Sequence, residues 1–215
     1  MTASPHNREP RKVPVQVTFN QRTLETASLP PGDWFNLRWL KDAKRERLFF
    51  ASLSGRFTPG GRKVPSLYLS PSLRTSFREL YGDRIAMAEA EDATPIIEAK
   101  DLSERTFIEI KSPELLLVDL TTGYGLEAVG IDVGTANHPV IDHPRAWAQA
   151  IFDHPINADG IHYESRHTKE HCVVVWQRIS THSHDLSNPL SLGSQGTLSL
   201  DGHIELFGTK LLVAS

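Results

Sequence analysis

The whole chain has one cysteine, Cys172, so no internal disulfide can form. It falls in the apolar run Cys172-Val173-Val174-Val175-Trp176, where its expected role is that of a small buried side chain. Apolar runs of the roughly 20 residues that a membrane helix needs are missing, as is the apolar stretch of a secretory signal near the first methionine. No membrane association is expected, and the cytoplasm is the expected compartment. Positive charge is not in surplus either, since 26 acidic residues against 23 Lys and Arg leave a formal charge of −3. Direct nucleic-acid binding calls for a basic surface and is therefore not expected. Gly123-Tyr124-Gly125 lacks the Gly-x-Gly-x-x-Gly turn of a dinucleotide fold, and residues 55–63 lack the Gly-Lys-Ser/Thr ending of a P-loop. His162, His167 and His171 match no compact zinc spacing, so no metal site is expected. Internal repeats are absent.

What is present is the composition of an ordinary globular protein: 215 residues, 39% apolar and 23% charged, enough for one domain with a sizeable core. Residues 1–12 read as a flexible terminus and 13–215 as the domain. Val13 to Phe19 alternates like a strand, at an edge because of Pro14. After the break at Leu29-Pro30-Pro31-Gly32, Trp34 to Leu40 reads as an aromatic-rich strand. It carries Arg38, which is costly to bury without a carboxylate or an anionic ligand. Lys41 to Arg47 is a solvated charge cluster. Gly55-Arg56-Phe57 and Pro59-Gly60-Gly61 make a loop able to approach a ligand closely, with Arg56 and Arg62 on either side. Ser66 to Leu69 reads as a buried strand, and Ser70 as an N-cap with Pro71 at the first helical position. Leu73, Phe77, Leu80 and Tyr81 then recur at helical spacing and should face a core. Glu79 lies about 100° around the helix from Leu80, on the flank of Thr75, where a carboxylate is normally at a rim or in solvent.

Further on, Arg84 to Glu91 reads as helical, and Phe107 to Ile110 and Leu115 to Leu120 as two strands joined by a turn containing Pro113. Asp142-His143-Pro144 opens a helix with Trp147, Ala150 and Ile151 as its apolar stripe, closed by Pro155. Asp159 to Tyr163 is a turn into a strand, and Ser165-Arg166 stands at its end. Cys172 to Trp176 should be a central strand buried on both faces. Leu198, Leu200, Ile204 and Leu206 alternate around Asp201-Gly202 as in a hairpin. Taken singly, each polar residue has an ordinary explanation: a loop arginine is solvated, a strand tyrosine is core, and Ser-Arg after a strand is a turn.

Taken in order, Gly55-Arg56-Phe57, Leu67-Tyr68-Leu69-Ser70, Thr75-x-x-x-Glu79 and Asp159-Gly160-Ile161-His162-Tyr163-Glu164-Ser165-Arg166 resemble the RES domain, named for its Arg, Glu and Ser. The resemblance covers about residues 36–176 and leaves 177–215 as a C-terminal β extension. It implies a single mixed α/β (α+β) domain with a split, mostly antiparallel sheet, similar to ADP-ribosyltransferases in the RES manner. The implied activity is that of a toxin degrading NAD+ by phosphorolysis or hydrolysis. NAD+ would be the substrate, inorganic phosphate a co-substrate in the first case, and no cofactor is implied. The implied partner is an Xre-type antitoxin, in a homo-oligomer or a hetero-oligomeric complex. By the same resemblance Glu79, Arg56 and Ser165 are the catalytic set. Glu79 would stabilise the oxocarbenium-like centre and bond a ribose hydroxyl, and Ser165 would donate to the ligand near it. Arg38 and Arg56 would hold the pyrophosphate, with Arg45 and Arg47 as competitors for the upstream arginine. Tyr68 would stack on a ring or bond ribose, and Arg166 or Arg62 would hold a phosphate acceptor. Phe77 stands two residues before Glu79, where a protein-modifying transferase often has an acceptor carboxylate, so a small acceptor is favoured. The alternatives are a protein ADP-ribosyltransferase of the same fold and a non-catalytic nucleotide-binding or interaction module.

Overall fold

A β-branched run with no polar face needs cover on both sides, and two packed layers supply it. The computed structural model describes residues 9–39, 55–60, 64–112, 114–177, 191–196 and 212–214. The elements are α1 (Gln16–Phe19), β1 (Thr26–Leu29), β2 (Gly32–Trp39), β3 (Ser66–Leu69), α2 (Leu73–Ala90), β4 (Ile96–Glu98), α3 (Ala99–Ser103) and β5 (Arg105–Ser112). They continue with β6 (Leu115–Asp119), α4 (Gly123–Val129), α5 (Val133–Ala136), α6 (Asp142–Phe152), β7 (Gly160–Glu164), β8 (His171–Trp176), β9 (Ser191–Gly196) and β10 (Leu212–Ala214). A five-stranded sheet has the order β1-β6-β7-β8-β3, a three-stranded sheet the order β2-β5-β9, and β4 pairs with β10. Only β6–β7 and β4–β10 are parallel among these pairs. The architecture is therefore the mixed α/β one with split, mostly antiparallel sheets that the sequence leads one to expect.

Strand alternation divides β8 between two cores. Val173 and Val175 meet Leu67, Leu69 and Leu117 of the same sheet and Ile108 and Ile110 of the smaller sheet. Cys172, Val174 and Trp176 point the other way, toward Trp147, Ala150 and Ile151 of α6 and Phe19 of α1. The parallel β6–β7 pair needs a crossover, and residues 123–152, carrying α4 to α6, provide it on that second face. A third cluster seats Phe77, Tyr81 and Ile85 of α2 against Ile97 and Leu102. The sheets also touch edge to edge, because Phe35 and Ser70 exchange backbone hydrogen bonds of 2.8 and 2.9 Å. That bridge joins β2 to the end of β3, just where α2 begins.

Several local expectations are corrected. The stretch 13–19 yields a short helix rather than a strand, with Phe19 buried and Val15 and Val17 exposed. Arg11, in the stretch expected to fray, is tied down: its Nε lies 3.1 Å from Asp132 and its carbonyl accepts from Trp147 Nε1 at 3.1 Å. The N-cap of α2 is Ser72, not Ser70, since the Ser72 hydroxyl accepts the Thr75 N–H at 3.2 Å. Leu80 is 41% exposed, and the Arg84–Glu91 segment mostly continues the same helix. The strands flanking Pro113 enter different sheets. Arg45, Arg47, Arg62 and the hairpin at Asp201-Gly202 lie outside the described residues. Among the described residues no helix is long and apolar enough to cross a membrane.

Candidate active site

The site begins with α2. Phe77, Tyr81 and Ile85 bury one face of the helix, so Thr75, Glu79 and Asp83, four residues apart, form a polar row on its flank. Against that row lies the connection between β7 and β8. Period-two alternation places Tyr163 and Ser165 on the same side of the β7 path, and both reach Glu79. Ser165 Oγ donates to Glu79 Oε1 at 2.6 Å, and Tyr163 OH donates to Oε2 at 3.2 Å. Burial, and then the nearby Glu79 charge, push the Tyr163 phenol well above its ordinary value, so it stays a donor at neutral pH.

Ser165 itself is fully buried. Its oxygen also accepts the N–H groups of His167 and Thr168 at 3.2 Å each. The hydroxyl is thus used inside the protein and orients Glu79, whereas the sequence reading has it donating to ligand.

The glycine loop forms the facing wall. A Cβ on Gly55 would sit 2.3 Å from the Tyr68 hydroxyl, so only glycine lets the loop lie this close. The Tyr68 oxygen accepts the Phe57 N–H at 2.8 Å and lies 3.2 Å from the Thr58 hydroxyl. Burial pushes this phenol up to about 12. Tyr68 therefore holds the loop in place while its side chain lines the cleft. Arg145 Nε donates to the Gly55 carbonyl at 3.1 Å. Arg56 donates to the Asn137 side-chain oxygen, with its guanidinium carbon 4.8 Å from the Phe57 ring centre and 5.2 Å from that of Tyr163. On β2, Arg38 Nε donates to Asn36 Oδ1 at 2.7 Å, and Asn36 Nδ2 donates to the Tyr68 carbonyl at 2.7 Å. Asn36 thereby ties the arginine to β3.

Between these walls lies a cleft of about 420 Å³, within the range of small-molecule sites. Of the residues expected from the sequence, Arg38, Arg56, Tyr68, Glu79 and Arg166 line it, and Ser165 stands behind it. Arg166 Nη2 pairs with Asp83 at 2.6 Å and its Nε donates to His167 Nε2 at 3.2 Å. Burial holds the His167 imidazole below its ordinary value, outweighing the opposite pull of Glu79. Arg105, unnoticed in the sequence, also lines the cleft, its guanidinium carbon 3.4 Å from the Trp39 ring centre and its Nη2 3.1 Å from Asp101. Tyr163 could have been found from its spacing of two before Ser165. Asn137 carries no comparable signal, because it is 81 residues from the arginine it holds.

No protein-family model matches the chain, and no curated protein matches it in sequence. The fold is similar to that of a chain in the crystal structure of the M. tuberculosis MbcT–MbcA toxin–antitoxin complex. The TM-score is 0.61 over 90% of this chain and 96% of that one, at 19% sequence identity. The likeness is one of fold: this chain shares the architecture of a component of a toxin–antitoxin complex.

Proposed function

We propose that this protein is a toxin of the RES type that cleaves the nicotinamide–ribose bond of NAD+. Glu79 carries the reading, as a carboxylate oriented by two hydroxyl donors at a cleft that also holds Arg38, Arg56, Arg105 and Arg166. In the reaction the bond from ribose C1″ to the pyridinium nitrogen breaks, and its electron pair leaves with neutral nicotinamide. The ribose left behind is oxocarbenium-like, and a carboxylate beside it stabilises the charge and accepts a ribose hydroxyl proton in a hydrogen bond. Two fixed donors cost no reorganisation as that charge develops, and each Glu79 oxygen keeps a lone pair for the ligand. The forked donors of Arg38 and Arg56 suit the pyrophosphate. Water attacking C1″ loses a proton and yields ADP-ribose. Phosphate attacking through oxygen yields ADP-ribose-1″-phosphate, and Arg166, which lines the cleft, would hold it. A protein acceptor is disfavoured, because Phe77 is fully buried with its ring centre 4.5 Å from that of Tyr81.

The fold similarity to a chain from a toxin–antitoxin complex supports the toxin reading and an antitoxin partner, and the resemblance to RES domains implies that this antitoxin is Xre-type and covers the cleft. Phosphorus NMR of the purified protein with NAD+, with and without inorganic phosphate, tests the chemistry and names the acceptor by its product. Glu79→Gln should slow NAD+ loss by about 10³-fold with an unchanged circular dichroism spectrum. Turnover equal to wild type in that variant would remove Glu79 from the mechanism. Induced expression should arrest bacterial growth for the wild type and not for Glu79→Gln.

A further inference from the structure

The β7–β8 connection, residues 165–170, is docked on α2 at successive turns of the helix. At the N-terminal turn the Glu170 carboxylate accepts from the Ser72 hydroxyl at 2.9 Å and from the Thr75 hydroxyl, which also lies 3.0 Å from Thr168 Oγ1. One turn on, Ser165 holds Glu79 at 2.6 Å. One turn further, the His167 ring lies on Gly82, where a Cβ would come within 2.5 Å of it, and Arg166 pairs with Asp83 at 2.6 Å. Ser72, Thr75, Glu79, Gly82 and Asp83 thus form one polar stripe that fits one short connection.

The connection is closed on itself as well. Ser165 N–H donates to the Glu170 carbonyl at 2.8 Å and Lys169 N–H to the Ser165 carbonyl at 3.0 Å, with Lys169 at φ +64. The Ser165 hydroxyl, collecting the His167 and Thr168 N–H groups, has its direction set by that closed loop. Moving the 168–170 end therefore moves the donor that orients Glu79. Thr75 is fully buried and does not line the cleft, so it cannot act by touching a ligand.

We propose that Thr75 and Glu170 are positioning residues for the Glu79 carboxylate, acting through the Ser165 hydroxyl. The catalytic consequence rests on the NAD-cleaving reading, while the positioning itself can be measured without it. Thr75→Val removes the hydroxyl at nearly constant volume and charge. It should lower kcat for NAD+ cleavage about tenfold with KM unchanged, and in a Ser165→Ala background it should have no further effect. Glu170→Gln, which keeps an acceptor oxygen, should retain more kcat than Glu170→Ala. A KM change without a kcat change, or losses that multiply in the double variant, overturns the proposal. A second readout needs no turnover: carbon NMR of a ¹³C-carboxyl glutamate label, with the Glu79 signal assigned by its absence in Glu79→Gln. Losing or displacing a hydrogen-bond donor moves the carboxyl resonance, so Thr75→Val and Ser165→Ala should displace the Glu79 signal alike and the double variant no further. A signal that moves for Ser165→Ala and stays put for Thr75→Val overturns the proposal even if the wild type cleaves NAD+. If the wild type leaves NAD+ intact while the signal moves alike in both variants, the positioning stands and the NAD-cleaving reading falls.

Discussion

Arg56 meets the neutral amide of Asn137 rather than a carboxylate. Its orientation is fixed while its charge remains available to an anion. A hydrogen bond to a charged group contributes about 1.5–3 kcal/mol, so Asn137→Ala should raise KM for NAD+ by about tenfold or more and leave kcat nearly unchanged. Steady-state kinetics over a range of NAD+ concentrations would show this, and a wild-type KM would mean that Arg56 holds its place without the amide. Tyr163 is different, because it reaches the Glu79 carboxylate directly. Tyr163→Phe removes one of the two donors to Glu79 and should lower kcat by about 10²-fold, in the range seen for the loss of one preorganised donor. The same assay reads this in the kcat column.

On the scale of the element, α2 has two unlike faces with one purpose. Phe77, Tyr81 and Ile85 anchor the helix in its own cluster, and the opposite flank receives the β7–β8 connection. Gly82 is the point of closest approach. Alanine there is favoured by about 1 kcal/mol in helix propensity, but its Cβ would overlap the His167 ring, and overpacking of this kind costs about 1–3 kcal/mol. The collision should win, so Gly82→Ala is expected to destabilise the protein and to lower NAD+ turnover together. Urea unfolding beside the activity assay measures both, and a stabilised, fully active variant would show that the connection yields easily.

For the molecule as a whole, the buried titratable groups define a pH window of stability. Burial holds His154, His162 and His167 below the ordinary value of 6.5. The unfolded chain then binds protons that the native one refuses, and stability is lost as pH falls below about 6.5. Burial also pushes Tyr68, Tyr81 and Cys172 up to about 12, from 10.0 for the phenols and 9.0 for the thiol. The unfolded chain releases those protons first, so stability falls again as pH rises above about 9 to 10. The thermal midpoint should be flat between about pH 7 and 9 and decline on both sides. A midpoint that keeps rising through pH 10 would mean that these phenols and the thiol are solvated.

Much of this was legible in the chain itself, because it is written in local pattern. A short apolar run with an aromatic, bounded by Pro65 and Ser70-Pro71, marks β3, a continuous β-branched run marks β8, and Asp142-His143-Pro144 marks the start of α6. Spacing places Glu79 beside the apolar stripe of α2 rather than inside it. The short 13–19 segment was misread because four helical residues with one buried side chain leave no period to detect. What the sequence could not decide is which distant groups meet. Ser165 lies 86 residues from Glu79, and Asn137 lies 81 from Arg56. Those encounters follow from the parallel crossover between β6 and β7 and from the packing of α2 against the β7–β8 connection. Only long-range packing sets a buried serine against the glutamate and makes that glutamate part of the lining of a cleft.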